Sequence, residues 1–175
     1  MRFSALPALL LLVAACNVSA QLIDADPDWK EVEIPAPPAF RFDQLIELEM
    51  PRHISLKVGF DPETLRVTTD GVVRYVMVAT SVSGSRYATY EGIRCQTGEV
   101  KVYARHGVTG AWVAVNDPQW KPLNNNQPSP HASALARQGA CDGRAPASHS
   151  PAEIVRKLKN PPREHSGLAL PRTSA

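Results

Sequence analysis

The 175-residue chain has little of what usually announces chemistry. Its 19 basic and 17 acidic residues leave a net charge of +2. That balance excludes a dedicated nucleic-acid binder, which carries a marked basic excess. Neither G-x-x-x-x-G-K-[ST] nor G-x-G-x-x-G occurs, so no glycine-rich cradle for phosphates is present. H-E-x-x-H and C-x-x-C are absent too. His53, His106, His131, His149 and His165 lack the spacing of zinc ligands, and no metal or cofactor is expected. Cysteine is scarce, with three in all, and long apolar runs are confined to one place near the N-terminus.

That run extends from Ala5 to Ala15, behind Arg2 and ahead of the first acidic residue, Asp24. The layout is that of a secretory signal peptide. It falls short of the about 20 apolar residues a membrane-crossing helix needs. Two processing patterns fit. Leu12-Val13-Ala14-Ala15-Cys16 resembles a bacterial lipobox, which would make Cys16 a lipidated first residue and give a leader of 1–15. Val18-Ser19-Ala20 before Gln21 is a small-residue cleavage site and gives a leader of 1–20, with Cys16 discarded. Either way the expected location is the periplasm or the periplasmic face of the outer membrane, the lipidated form being anchored there.

Both patterns leave Cys95 and Cys141 as an even pair in an oxidising compartment, where a disulfide is expected. The rival reading makes Cys95 a nucleophile, but no local Cys–His signature supports it.

Sixteen prolines cluster toward the two ends of the chain and so locate the folded core between them. Residues 21–51 read as a Pro-rich extended arm, with Ile34-Pro35-Ala36-Pro37-Pro38 favouring polyproline II. Trp29, Phe40 and Phe42 are placed to pin it down, and residues 41–50 fit a strand or a short helix equally well. A single domain over 52–160 follows. Its alternating segments 55–60, 65–67, 72–82, 87–95, 100–105 and 111–115 predict an antiparallel meander of about five to six strands. Asp70-Gly71 is a hairpin signal in which both turn positions favour positive φ. Val72 to Val82 is apolar on both faces and should lie centrally, while the charged alternation elsewhere suggests one wet face. Helices are predicted from His131 to Gln138, ended by Gly139, and from Pro151 to Lys159. A capping box, Ser150-Pro151-Ala152-Glu153, opens the second. Residues 161–175 read as a disordered tail. The fold class is α+β, with one or two short C-terminal helices on the sheet.

Three groups of residues fit candidate sites. Arg74, Glu91 and Arg94 lie on neighbouring predicted strands. They fit a polar cluster for an anion or peptide carboxylate, or more simply a cross-strand salt bridge on the wet face. Trp112 and Trp120 fit an exposed aromatic platform, or more simply the closure of the core at strand ends. Arg156-Lys157-Leu158-Lys159 invites a membrane or nucleic-acid reading, against the commoner solvated helix face.

The strings Asp70 to Tyr75, Tyr90 to Cys95 and Asn116 to Leu123, together with a helix from His131 ending in Cys141, resemble the cryptic neisserial protein-like (CNP-like) family. The resemblance covers about Asp28 to Lys159. It implies a proteobacterial exported protein of this architecture and brings no catalytic residue with it. The expected function is therefore a non-enzymatic binding or scaffolding domain of the cell envelope. Its partner would be an envelope protein or a peptidoglycan component, with no nucleic acid. The alternative is a hydrolase whose site is assembled from scattered His, Glu and Arg residues, recognisable by a concave pocket holding two titratable groups within hydrogen-bond reach.

Overall fold

No proline interrupts residues 63–117, and this interval supplies the long strands. A computed structural model describes residues 26–107, 109–123 and 130–160. The leader, Cys16, the tail and most of the polar 124–130 loop fall outside the described residues. The strands are β1 (Ile46–Glu47), β2 (Lys57–Phe60), β3 (Arg66–Val67), β4 (Val72–Thr80), β5 (Arg86–Arg94), β6 (Glu99–His106), β7 (Trp112–Ala114) and β8 (Lys121–Pro122). They form one antiparallel sheet in the order β1-β2-β4-β5-β6-β7, with β3 alongside β4 and β8 alongside β6. The ambiguous 41–50 segment thus resolves as a strand. After it come α1 (Pro130–Leu135), a π-helical turn (Ala136–Ala140), a small ladder of β9 (Cys141–Asp142) and β10 (Ala145–Pro146), and α2 (Pro151–Lys159). The architecture is α+β, as the alternation implied. Two-residue strands, too short to show periodicity, account for the extra members of the sheet.

Strands β2 and β3 share one edge of β4, β2 against residues 77–80 and β3 against 73–74. The chain steps between them through a 3-10 turn, Pro62–Thr64, which Asp61 caps by accepting from the Glu63 N–H. The buried Thr64 hydroxyl takes the Val76 N–H at 2.9 Å and donates to the Asp61 carbonyl, so the gap leaves no orphan on β4.

The hairpin from β3 to β4 departs from expectation. Gly71 alone has positive φ there, and Asp70 does not. Thr68 pairs with Val72 across a three-residue loop, which frees the Asp70 side chain to turn inward.

The wet face is a second correction. Side chains of β4 alternate between two covered faces, and eight of its nine residues are buried. On one face Val73, Tyr75, Met77 and Ala79 join Phe60, Leu65, Ile93, Leu135 and Ile154 beneath the helices. On the other, Val76 and Val78 join Tyr90, Tyr103 and Ala104 beneath the arm, with Phe40, Leu45 and Trp112 packed against them. The arm is a layer of the domain. Its Trp29 indole donates to the Asp70 carbonyl at 2.8 Å, and its Arg41 N–H donates to the Asp61 carboxylate at 2.8 Å.

A β-bulge shapes the arm face. Tyr90 pairs with Ala104 but Glu91 pairs with Val102, leaving Tyr103 extra and turned toward the arm. It lies over Gly92, where a Cβ would come within 2.8 Å of Val72 Cγ1 and 2.9 Å of Tyr103 Cε2. Only glycine leaves the phenol room.

On the helix face, α1 gives way to the π-helical turn at Ala136, so the first helix is shorter than predicted, and the helical backbone breaks at Gly139 (φ 144°), as expected. The second helix has the predicted bounds and buries Ile154 and Leu158. Its capping box does not close. The Ser150 side chain makes no cap bond, and Glu153 accepts instead from the Ser148 hydroxyl, which takes the Ser150 N–H. Cys95 and Cys141 are disulfide-bonded, with Cα atoms 5.7 Å apart, and staple this helical end to the sheet beyond β5.

Two predictions follow from these layers. Opening a 46-residue link removes about 4 kcal/mol in the chain-entropy model. Cys95→Ser or Cys141→Ser should each lower denaturant-measured stability by about that much, the double mutant being little worse. The second concerns Asp70. Burial raises its pKa, but donation from Arg74, Thr68 and the N–H groups of Val32 and Val72 outweighs this and holds it at about 2. A carboxylate depressed on folding stabilises above its unfolded pKa of about 3.9, and that stability drains away as pH falls toward 2. Urea melts across this window should show a steep loss for the wild type. Asp70→Asn should start lower near neutral pH and fall less steeply.

Candidate functional site

The period of two on the strands decides where the charged residues go. Arg74 lies opposite Gly92, and Glu91 lies opposite Tyr75. Arg74 and Arg94 therefore share the arm face, while Glu91 points to the helix face. The three residues expected as one cluster are parted by the sheet.

On the arm face, Arg74 is 1% exposed and its charge is fully engaged. It bonds both Asp70 oxygens, at 3.2 and 3.0 Å, Glu31 Oε1 at 3.2 Å, and the Thr68 hydroxyl. Glu31 also accepts from Lys101 and from the Tyr103 phenol, each at 2.6 Å. Burial and the Glu31 hydrogen bond push the Tyr103 pKa up, so the phenol stays protonated as a donor. Arg94 lies over Trp29, its Cζ 3.6 Å from the ring centroid, and Trp29 meets Trp120 edge-on at 6.0 Å. Trp120 in turn faces Lys101. Trp112 packs against the arm-side core, as the simpler sequence reading has it, while Trp120 meets Trp29 of the arm, and the group as a whole fastens the arm.

On the helix face a different group forms. Helix α1 carries buried Ala132 and Ala134, small enough for the helix to lie close on the sheet, and this brings His131 down to Glu91. His131 Nε2 lies 3.1 Å from both Glu91 oxygens. The Tyr75 phenol donates to Oε2 at 3.0 Å and the Thr89 hydroxyl to Oε1 at 2.6 Å. Burial alone would raise the Glu91 pKa, but the charge and hydrogen bond of His131, with Thr89 and Tyr75, bring it below its ordinary value. Burial alone would lower that of His131, but Glu91 raises it. The two are an ion pair at the base of a cleft of about 240 Å³.

Arg105, His106, Tyr87 and Thr89 line the same cleft. Arg105 stands opposite Thr89 on one side and Val113 on the other, so all three share the helix face. Its guanidinium is exposed and makes no hydrogen bond or ion pair with any described residue. With Glu91 and His131 cancelling, the cleft carries one positive charge uncompensated by any described residue. Sequence reasoning found Glu91 but missed the roles of His131, Glu31, Asp70 and Arg105, whose partners are set by the fold and not by any local spacing. The basic run of α2 faces solvent, and Lys157 bonds the Ala147 carbonyl. Among the described residues no three His, Cys, Asp or Glu side chains gather as metal ligands, and no helix is long and apolar enough to cross a membrane.

Removing one partner of a buried ion pair strands the other, at a cost of about 3–5 kcal/mol. His131→Ala should destabilise the protein by about that amount in denaturant melts. The wild-type pair also sets a pH window. The raised His131 pKa means its contribution is complete below the unfolded value of about 6.5 and is lost as pH rises through the folded value. In His131→Ala that alkaline loss should disappear.

No curated protein and no solved structure matches the chain. The family model for the CNP1-like family matches residues 24–159, from the arm through α2, and the chain belongs to that family.

Proposed function

We propose that this is an exported cell-envelope protein whose domain binds or scaffolds another envelope component without turning it over. The observation that carries the binding part is the state of Glu91. Three donors converge on it, the Tyr75 and Thr89 hydroxyls and the shared His131 Nε2–H, and with its pKa lowered it is held as an ionised acceptor, a weaker base than an ordinary carboxylate. Among the described residues the one open charge lining the cleft is Arg105, a group suited to recognition. Export is supported by the signal-peptide pattern at the N-terminus, read as 1–20 or, if the lipobox is used, 1–15, and by the disulfide, which persists in oxidising compartments. The lipobox at Cys16 adds an outer-membrane lipid anchor as one form of the mature protein.

A hydrolase remains the second reading, favoured by one observation: the cleft is concave and holds Glu91 and His131 within hydrogen-bond reach.

One experiment separates the two. The purified protein is exposed to periplasmic extract and to peptidoglycan, and retained and released products are identified by mass spectrometry. Retention of an intact partner is the expected result. Appearance of a cleaved product that is lost in His131→Gln would instead establish the hydrolase.

A further inference from the structure

The Arg105 cleft has a chemical preference of its own. A single guanidinium with no counter-charge among the described residues matches one negative charge, and its planar fork suits a carboxylate, which it can grip with two parallel hydrogen bonds. The Thr89 hydroxyl and the rim of His131 lie beside it in the same cleft. The flanks are apolar. Val113, directly across from Arg105, is 59% exposed, and Tyr87 is 46% exposed. These are two of only five large hydrophobic residues exposed among the described residues, and both adjoin the free cation. A fully charged phosphate would bring more negative charge than the cleft can balance.

From this juxtaposition we infer that the Arg105 cleft binds an organic monocarboxylate bearing a short apolar group. Its carboxylate sits on Arg105 and its apolar part lies against Tyr87 and Val113. The inference rests on the binding-domain reading and names the ligand class for the same cleft. Such a group is presented either by the free C-terminus of a peptide or by a small free acid.

The test is an NMR titration of the purified, oxidised protein with four probes: N-acetyl-leucine, N-acetyl-leucinamide, N-acetyl-Ala-Ala-Leu with a free C-terminus, and inorganic phosphate. Saturable shifts at Thr89, Arg105 and Val113 are expected with both carboxylates. The amide should bind at least about tenfold more weakly, as a lost charge-assisted hydrogen bond dictates. Arg105→Gln removes a side chain that bonds no other described residue, so its melting temperature should hold while carboxylate affinity drops by a similar factor. Tighter binding of the tripeptide assigns the site to a peptide C-terminus, and equal affinity assigns it to a small free acid. Equal binding of acid and amide, displacement by phosphate at matching concentration, unchanged binding in Arg105→Gln, or no saturable shift would each overturn the inference. Those failures leave the extract and peptidoglycan experiment to judge the broader reading. Cleavage of the tripeptide, in contrast, would overturn non-enzymatic binding while leaving capture by Arg105 in place.

Discussion

The burial of Arg74 constrains the rest of this structure more than any other single fact. A guanidinium at the centre of a sheet is tolerated only when its charge is matched and most of its donors are used. Asp70 supplies one match from the adjacent hairpin, and Glu31 supplies the second from the arm. Lys101 then balances the extra negative charge, so the four groups sum to zero. Seating the arm is thereby a condition for burying Arg74, and the apolar face carrying Val76, Val78 and Tyr90 is covered as a consequence. One donor, Arg74 Nε, is left without a partner among the described residues, a cost borne inside a network that is otherwise complete.

The two faces of the sheet use the same device toward different ends. Each holds a carboxylate satisfied by a cation and a tyrosine: Glu31 with Arg74 and Tyr103 on the arm side, Glu91 with His131 and Tyr75 on the helix side. The first ties down a segment with almost no regular structure. The second fixes a six-residue helix that could not stand alone. Position along the strands distinguishes Arg105, which lies beyond the reach of both networks and is left facing the cleft.

Much of the architecture was legible where local pattern and tertiary environment agree. The doubly apolar run from Val72 placed β4 centrally, and Pro151 with Ile154, Val155 and Leu158 fixed α2. The cysteine pair followed from arithmetic. What failed did so because the deciding partner was remote in sequence. Asp70-Gly71 looked like a mirror-type turn because nothing local showed that the Asp70 carboxylate is needed by Arg74. The face beneath the arm looked wet because its charged residues, Arg74 and Lys101, find Glu31 some 43 and 70 positions away. Arg74, Glu91 and Arg94 looked like one cluster because neighbouring strands were read without register, and a one-residue offset sends a side chain to the opposite face. The Ser150 box failed to close because Ser148, two residues upstream, competes for the same carboxylate.

The arm also has a meaning in time. It leaves the ribosome ahead of nearly all its partners, yet Glu31 meets Tyr103 across 72 residues and Trp29 meets Asp70 across 41. Contacts of such separation pay their loop-closure entropy before they return anything, which makes them slow to form. The hairpins β4–β5 and β5–β6 can close locally, but until β6 is in register Glu31 has no Lys101 or Tyr103 to bond. The first segment of the domain to emerge is thus among the last to be seated, and until then the sheet presents Val76, Val78 and Tyr90 to whatever else is nearby.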